Sequence, residues 1–106
     1  MIFETLNESA NKGELLLVNG GFCHWHLRQD GQLTIREIIV LPSFRRQGIA
    51  KTMLGILSQK VGATSIFAKC PTDLESNGWY KAMGFIEEGV EETKTGRQLQ
   101  LWRLRL

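Results

Sequence analysis

Val40-Leu41-Pro42-Ser43-Phe44-Arg45-Arg46-Gln47-Gly48-Ile49-Ala50-Lys51 marks the point where the chain changes period. Before it, Leu33-Thr34-Ile35-Arg36-Glu37-Ile38-Ile39-Val40-Leu41 is rich in β-branched residues and reads as a strand stopped by Pro42. After it, Ile49, Met53, Ile56 and Leu57 recur at helical spacing, flanked by Ala50, Leu54 and Val61. The spacing predicts a helix over residues 48–60, with Gly62 at its C-terminal end. The first turn of such a helix carries N–H groups with no internal partner, at the positive end of the macrodipole. A polyphosphate docks naturally on such an end. Gly48 and small Ala50 keep bulk away from it, and Arg45, Arg46 and Lys51 add positive charge. An ordinary basic α/β loop would account for the same residues. The phosphate loops G-x-x-x-x-G-K-[ST] and G-x-G-x-x-G are absent.

Upstream, Glu14-Leu15-Leu16-Leu17-Val18 and the run Phe22 to Arg28 read as strands turned at Asn19-Gly20-Gly21, with a hairpin at Asp30-Gly31. Three strands thus precede the helix as an antiparallel meander. Downstream, Thr64-Ser65-Ile66-Phe67-Ala68-Lys69-Cys70 reads as a strand ending at Pro71. A strand, a helix and a strand in succession imply a crossover and a parallel pair. Thr72 and Glu75 have capping-box spacing, with Ser76 or Asn77 as alternative caps, for a helix that stops at Gly84. Two strands, from Phe85 to about Glu92 and from Gln98 to Leu106, close the chain around Thr95-Gly96. The expected fold is α/β in the order βββ-α-β-α-ββ, with helices packed on a mixed, mostly antiparallel central sheet. Residues 1–13 read as a weakly structured or short helical lead-in.

The 106 residues are 42% hydrophobic and 23% charged, enough for one domain over 1–106. A net charge of +2 is too mild for a nucleic-acid binder or a membrane-surface protein. No apolar run approaches the ~20 residues of a membrane span. The start, Met1-Ile2-Phe3-Glu4-Thr5, lacks the basic and apolar regions of a signal peptide. Two cysteines, Cys23 and Cys70, do not make a disulfide framework, and the expected location is the reducing cytoplasm.

Arg45-Arg46-Gln47-Gly48-Ile49-Ala50 resembles the [QR]-x-x-G-x-[GA] pyrophosphate loop of the GCN5-related N-acetyltransferase superfamily. Glu37-Ile38-Ile39-Val40-Leu41-Pro42 is similar to that family's bulged fourth strand. Asn77-Gly78-Trp79-Tyr80-Lys81-Ala82-Met83-Gly84-Phe85 resembles its second signature, a helix with Tyr-x-x-x-Gly-Phe. Both motifs occur in order, separated by a helix and a strand, and the resemblance spans residues 14–106. The chain departs from the family at the front, where the usual strand and two helices have almost no room.

The resemblance implies an acyltransferase that moves an acetyl group from acetyl-CoA, its acyl-donor substrate, directly to an unidentified amine. Ile38, Ile39 and Val40 would pair their backbone with the pantetheine arm. Arg46, Gln47, Gly48, Ile49, Ala50 and Lys51 would cradle the pyrophosphate, with Arg45 as a contact or a loop anchor. Tyr80, the single tyrosine, would be the general acid. Asn77 would bind the cofactor arm or cap its helix. Asp73 stands where some relatives carry a cofactor-binding Asn, but its charge disfavours that role. Glu37 is the candidate base, with a structural carboxylate as the competing reading. His24 and His26 share one side of their strand and read as ordinary sheet histidines; no metal is expected. Cys70 is assigned to packing. A catalytically silent acyl-CoA-binding or interaction module is the alternative, and a homodimer would supply the pocket wall that the short N-terminus omits.

Overall fold

The computed structural model describes residues 14–106; the expected lead-in lies outside them. Gly20, at φ +89°, turns β1 (Leu15–Val18) into β2 (Gly21–Leu27), and the turn at Asp30-Gly31 carries β2 into β3 (Gln32–Val40). These strands form the expected antiparallel meander. A short 3₁₀ turn (Pro42–Phe44) leads to α1 (Ile49–Ser58), followed by β4 (Ser65–Pro71), α2 (Ser76–Ala82), β5 (Ile86–Glu92) and β6 (Gln98–Arg105). The six strands lie in the order β1-β2-β3-β4-β6-β5, and only the β3–β4 contact is parallel. This is the mixed, mostly antiparallel α/β sheet expected from the pattern. Among the described residues no helix is long and apolar enough to cross a membrane.

Strand alternation decides what the helices cover. Cys23, Leu33, Ile35, Ile66 and Ala68 meet Met53, Leu54 and Leu57 of α1 and Tyr80 of α2 in one core. Full burial of an aliphatic side chain of this size contributes about 1.5–3 kcal/mol. The second consequence of the core is positional, because it fixes the N-terminus of α1 against the end of β3.

Two irregularities shape that end. His24 pairs with Glu37 but Trp25 pairs with Ile35, so Arg36 is an extra residue, a β-bulge in β3. The bulge shifts the alternation by one, which puts Ile38 and Val40 on the face that Leu33 and Ile35 occupy. The parallel pairing with β4 runs only from Gln32↔Ser65 to Ile35↔Ala68. Beyond it, residues 36–40 follow β2, while Lys69, Cys70 and Pro71 follow β6. The two central strands therefore splay apart.

Local expectations are corrected at both helices. The first helix runs from Ile49 to Ser58 rather than 48–60. Gly48 is its N-cap, and Gln59 and Lys60 donate to the carbonyls of Ile56 and Leu57, which tightens the end into 3₁₀ bonding. The Thr72–Glu75 capping box does not form. Glu75, with φ −63° and ψ −23°, already has helical backbone, and no side chain caps α2. Successive turn bonds from Leu74 to Pro71 and from Asn77 to Leu74 feed the chain into α2 instead.

Candidate active site

The splay, the loop and the two helices enclose a cleft of about 560 Å³. Ile38 and Val40 of β3 line it with Phe44, Arg45 and Arg46 of the loop, Gly48 and the first three residues of α1, Ser76, Trp79 and Tyr80 of α2, and Met83 just past its end. One wall offers main-chain donors. Gly48 has no side chain to cap α1, and the first turn holds no acidic residue. Thr52 is the first residue to bond back, to Gly48 O at 2.9 Å, so the N–H groups of Ile49, Ala50 and Lys51 precede the intrahelical ladder. Gly48 takes φ +76°, and a Cβ there would meet nothing within 4 Å. Its need for glycine is conformational, and the space in front of it is open. Arg46 also lies at positive φ, +65°, the one described non-glycine residue to do so, a strained conformation that turns the loop toward the helix.

The loop is braced from beneath. Arg45 Nε donates to Val40 O at 3.3 Å, and Leu41 N–H donates to Gly20 O at 2.8 Å. The Phe44 ring packs on the β1–β2 turn so closely that a Cβ on Gly20 would lie 2.4 Å from it.

The other wall is aromatic. Tyr80 is 5% exposed, and its ring meets Trp79 and Phe85 edge-on, each at 5.1 Å between centroids, and stacks on Trp102 at 6.1 Å. Among the described residues nothing hydrogen-bonds its hydroxyl, although the residue lines the cleft. Burial, with Cys70 and Cys23 nearby, pushes the phenol well above its ordinary pKa. Burial raises the Cys23 thiol to about 12, and burial followed by Asp73 raises Cys70. Neither sulfur is an activated nucleophile.

The structure brings together Ile38, Val40, Arg45, Arg46, Gly48, Ile49, Ala50, Lys51 and Tyr80. It sets four candidates outside the cleft lining: Ile39, Gln47, Asn77 and Glu37. Ile39 and Glu37 alternate with Ile38 and so face the other side of the sheet. Gln47 turns back toward Ser43 O. Asn77 donates from Nδ2 to Pro71 O at 2.8 Å and Leu74 O at 2.9 Å, and its Oδ1 accepts from Trp102 Nε1 at 2.9 Å. It neither caps α2 nor reaches the cleft. Ser76, Trp79 and Met83 escaped the sequence reading; their spacing with Tyr80, one helical face of α2, was the available signal.

Across the sheet from the cleft, His24 lies opposite Glu37. It is 4% exposed, and its Nε2 has no hydrogen-bond partner among the described residues. Burial and then Arg36 hold its pKa below the ordinary value, against Glu14 and Glu37, which raise it. His26 Nδ1 meets Glu14 Oε2. Among the described residues no group of three or more His, Cys, Asp and Glu side chains gathers to hold a metal ion.

Solved structures share this architecture. A protein from Desulfovibrio desulfuricans assigned to the GNAT family has 17% identity and a TM-score of 0.79, over 96% of this chain and 77% of that one. A Bacillus anthracis protein assigned as a streptothricin acetyltransferase, in complex with acetyl coenzyme A, has 20% identity and a TM-score of 0.79, over 95% and 68%. The ribosomal-protein-S18-alanine N-acetyltransferase of Escherichia coli has 22% identity and a TM-score of 0.71, over 93% and 74%. At these identities the likeness is one of fold. No curated protein sequence matches the chain. The profile of the Acetyltransferase (GNAT) domain matches residues 9–87, most of the chain, and with the cleft just described it places this protein in the GNAT acetyltransferase family.

Proposed function

We propose that the protein is an N-acetyltransferase that moves the acetyl group of acetyl-CoA directly to a primary amine. One observation carries the reading. A single cleft joins the uncapped start of α1, the unpaired edge of β3 beyond Ile35, and the Tyr80 residue, whose hydroxyl is without a partner among the described residues. Those features suit a diphosphate cradle, a strand edge for an amide-bearing arm, and a proton donor. The acetyl coenzyme A complex of the Bacillus anthracis relative supports the choice of donor.

The N–H groups of Ile49, Ala50 and Lys51, with Arg46 and Lys51 beside them, hold the diphosphate. Gly48 gives the turn its shape, Arg45 anchors the loop to Val40, and Gln47 steadies it from Ser43. The backbone of Ile38, Ile39 and Val40 aligns the thioester in the splay. Tyr80 stays protonated across the working pH range because burial raises its pKa, so its O–H remains available to the departing sulfur as charge develops there. A lysine-like acceptor with pKa ~10.4 must spend about 4.6 kcal/mol to be neutral at pH 7. Glu37 faces away from the cleft, so the proton reaches it through water rather than directly. Asn77 supports this wall rather than touching the cofactor. Much of the rate comes from holding the two reactants together.

Calorimetry with acetyl-CoA, followed by coenzyme A release over a panel of primary amines, tests the proposal. Binding in the millimolar range or tighter, with release stimulated by an amine, is the expected result. No binding at saturating acetyl-CoA overturns it, and binding without release for any amine reduces the protein to a silent acyl-CoA-binding module.

A further inference from the structure

Tyr80 is held from behind by residues that never reach the cleft. Trp102, in β6 and 2% exposed, stacks on the Tyr80 ring at 6.1 Å with 19° between planes. Its indole N–H donates to Asn77 Oδ1, and the two donors of the Asn77 amide go to Pro71 O and Leu74 O. Pro71 is the last residue of β4, the strand that leaves β3 at the splay. One amide therefore ties the end of β4, the turn into α2, and β6. Both its N–H groups are occupied, so it has none free for a ligand. A tyrosine ring held by three aromatic neighbours has little freedom, but stacking alone does not set where the ring lies along the cleft. The Asn77 bonds set that position by fixing α2 and Trp102 relative to the β4 end.

We infer that Asn77 and Trp102 are a positioning pair for Tyr80, which direct its hydroxyl to the sulfur of the donor. The inference rests on the acid role given to Tyr80 in the proposed function. It is tested by a double-mutant cycle of Trp102→Phe, which keeps a ring against Tyr80 but loses the N–H, with Tyr80→Phe. The reading is kcat for the best amine of the panel and acetyl-CoA Kd by calorimetry. Trp102→Phe is expected to lower kcat roughly tenfold in the parent chain, with less than about a twofold effect in the Tyr80→Phe background, and Kd unchanged in both. Equal losses in the two backgrounds overturn the pair alone. Full kcat in Tyr80→Phe removes the acid role and the pair with it.

A second measurement needs no turnover. Tyr80 is the only tyrosine, so ¹³C-tyrosine labelling gives a single ring to follow by NMR. In Asn77→Asp, which keeps the acceptor for Trp102 but loses both donors, the ring signals are expected to shift and broaden in a folded protein. Signals identical to the parent overturn the inference. If Trp102→Phe does not fold, Asn77→Asp takes its place in the cycle.

Discussion

The two walls of the cleft are built on opposite principles. The loop wall, residues 45–51, is largely exposed; its donors are backbone N–H groups and its charges stand in water. The α2 wall is an aromatic block around a buried phenol whose hydroxyl meets no partner among the described residues. The first wall suits gripping a charged group that arrives with its own hydration. The second suits placing one proton to a fraction of an ångström. The long donor molecule proposed for the cleft needs both: affinity at one end and alignment at the other.

The sharpest way to break this contrast is Tyr80→Phe. It should lower turnover about 100-fold and leave acetyl-CoA affinity unchanged, as read by coenzyme A release against calorimetry. A loss of affinity instead would mean that the aromatic wall also binds. Next in size is Gly20→Ala, which drives a Cβ into the Phe44 ring at a residue with φ +89°. It should cost about 1–3 kcal/mol of stability by chemical denaturation, and weaken acetyl-CoA binding by tilting the loop wall from below. Gly48→Ala meets no neighbour but must hold φ +76°. At about 1–2 kcal/mol for a left-handed residue, roughly a tenfold rise in acetyl-CoA Kd is expected with kcat at saturation retained. The smallest effect lies outside both walls. Burial lowers the His24 pKa below the ordinary 6.5, so the unfolded chain takes up that proton more readily than the folded one. Stability is complete above the unfolded value and declines as pH falls through it toward the folded one. Urea midpoints between about pH 7.5 and 5 should fall less steeply in His24→Gln than in the parent.

The order of elements was legible because each carried a local signal. Pro42 and Pro71 stop strands, Asp30-Gly31 turns a hairpin, and Ile49, Met53, Ile56 and Leu57 beat at helical period. The position of the loop between β3 and α1 was legible for the same reason, since its residues are consecutive. The rest depended on contacts far apart in the chain. That Asn77 is taken up by Trp102, twenty-five positions away, is invisible in a capping motif. That Glu37 and Ile39 leave the cleft to Ile38 and Val40 follows from the bulge at Arg36; the family resemblance implied a bulged strand, but not the residue at which the alternation shifts. The failed Thr72–Glu75 box shows the same limit, because Thr72 N–H is bonded to Gln98 O, far along the chain, and Glu75 already has helical backbone.

The parallel contact between β3 and β4 ends after four residue pairs. The molecule can thus be viewed as two three-stranded half-sheets, β1-β2-β3 and β4-β6-β5, hinged along a short seam and bridged by helices. A ligand lodged in the open part of that seam sews the halves to each other. Occupancy then reports itself as added resistance to unfolding, in proportion to the logarithm of free ligand.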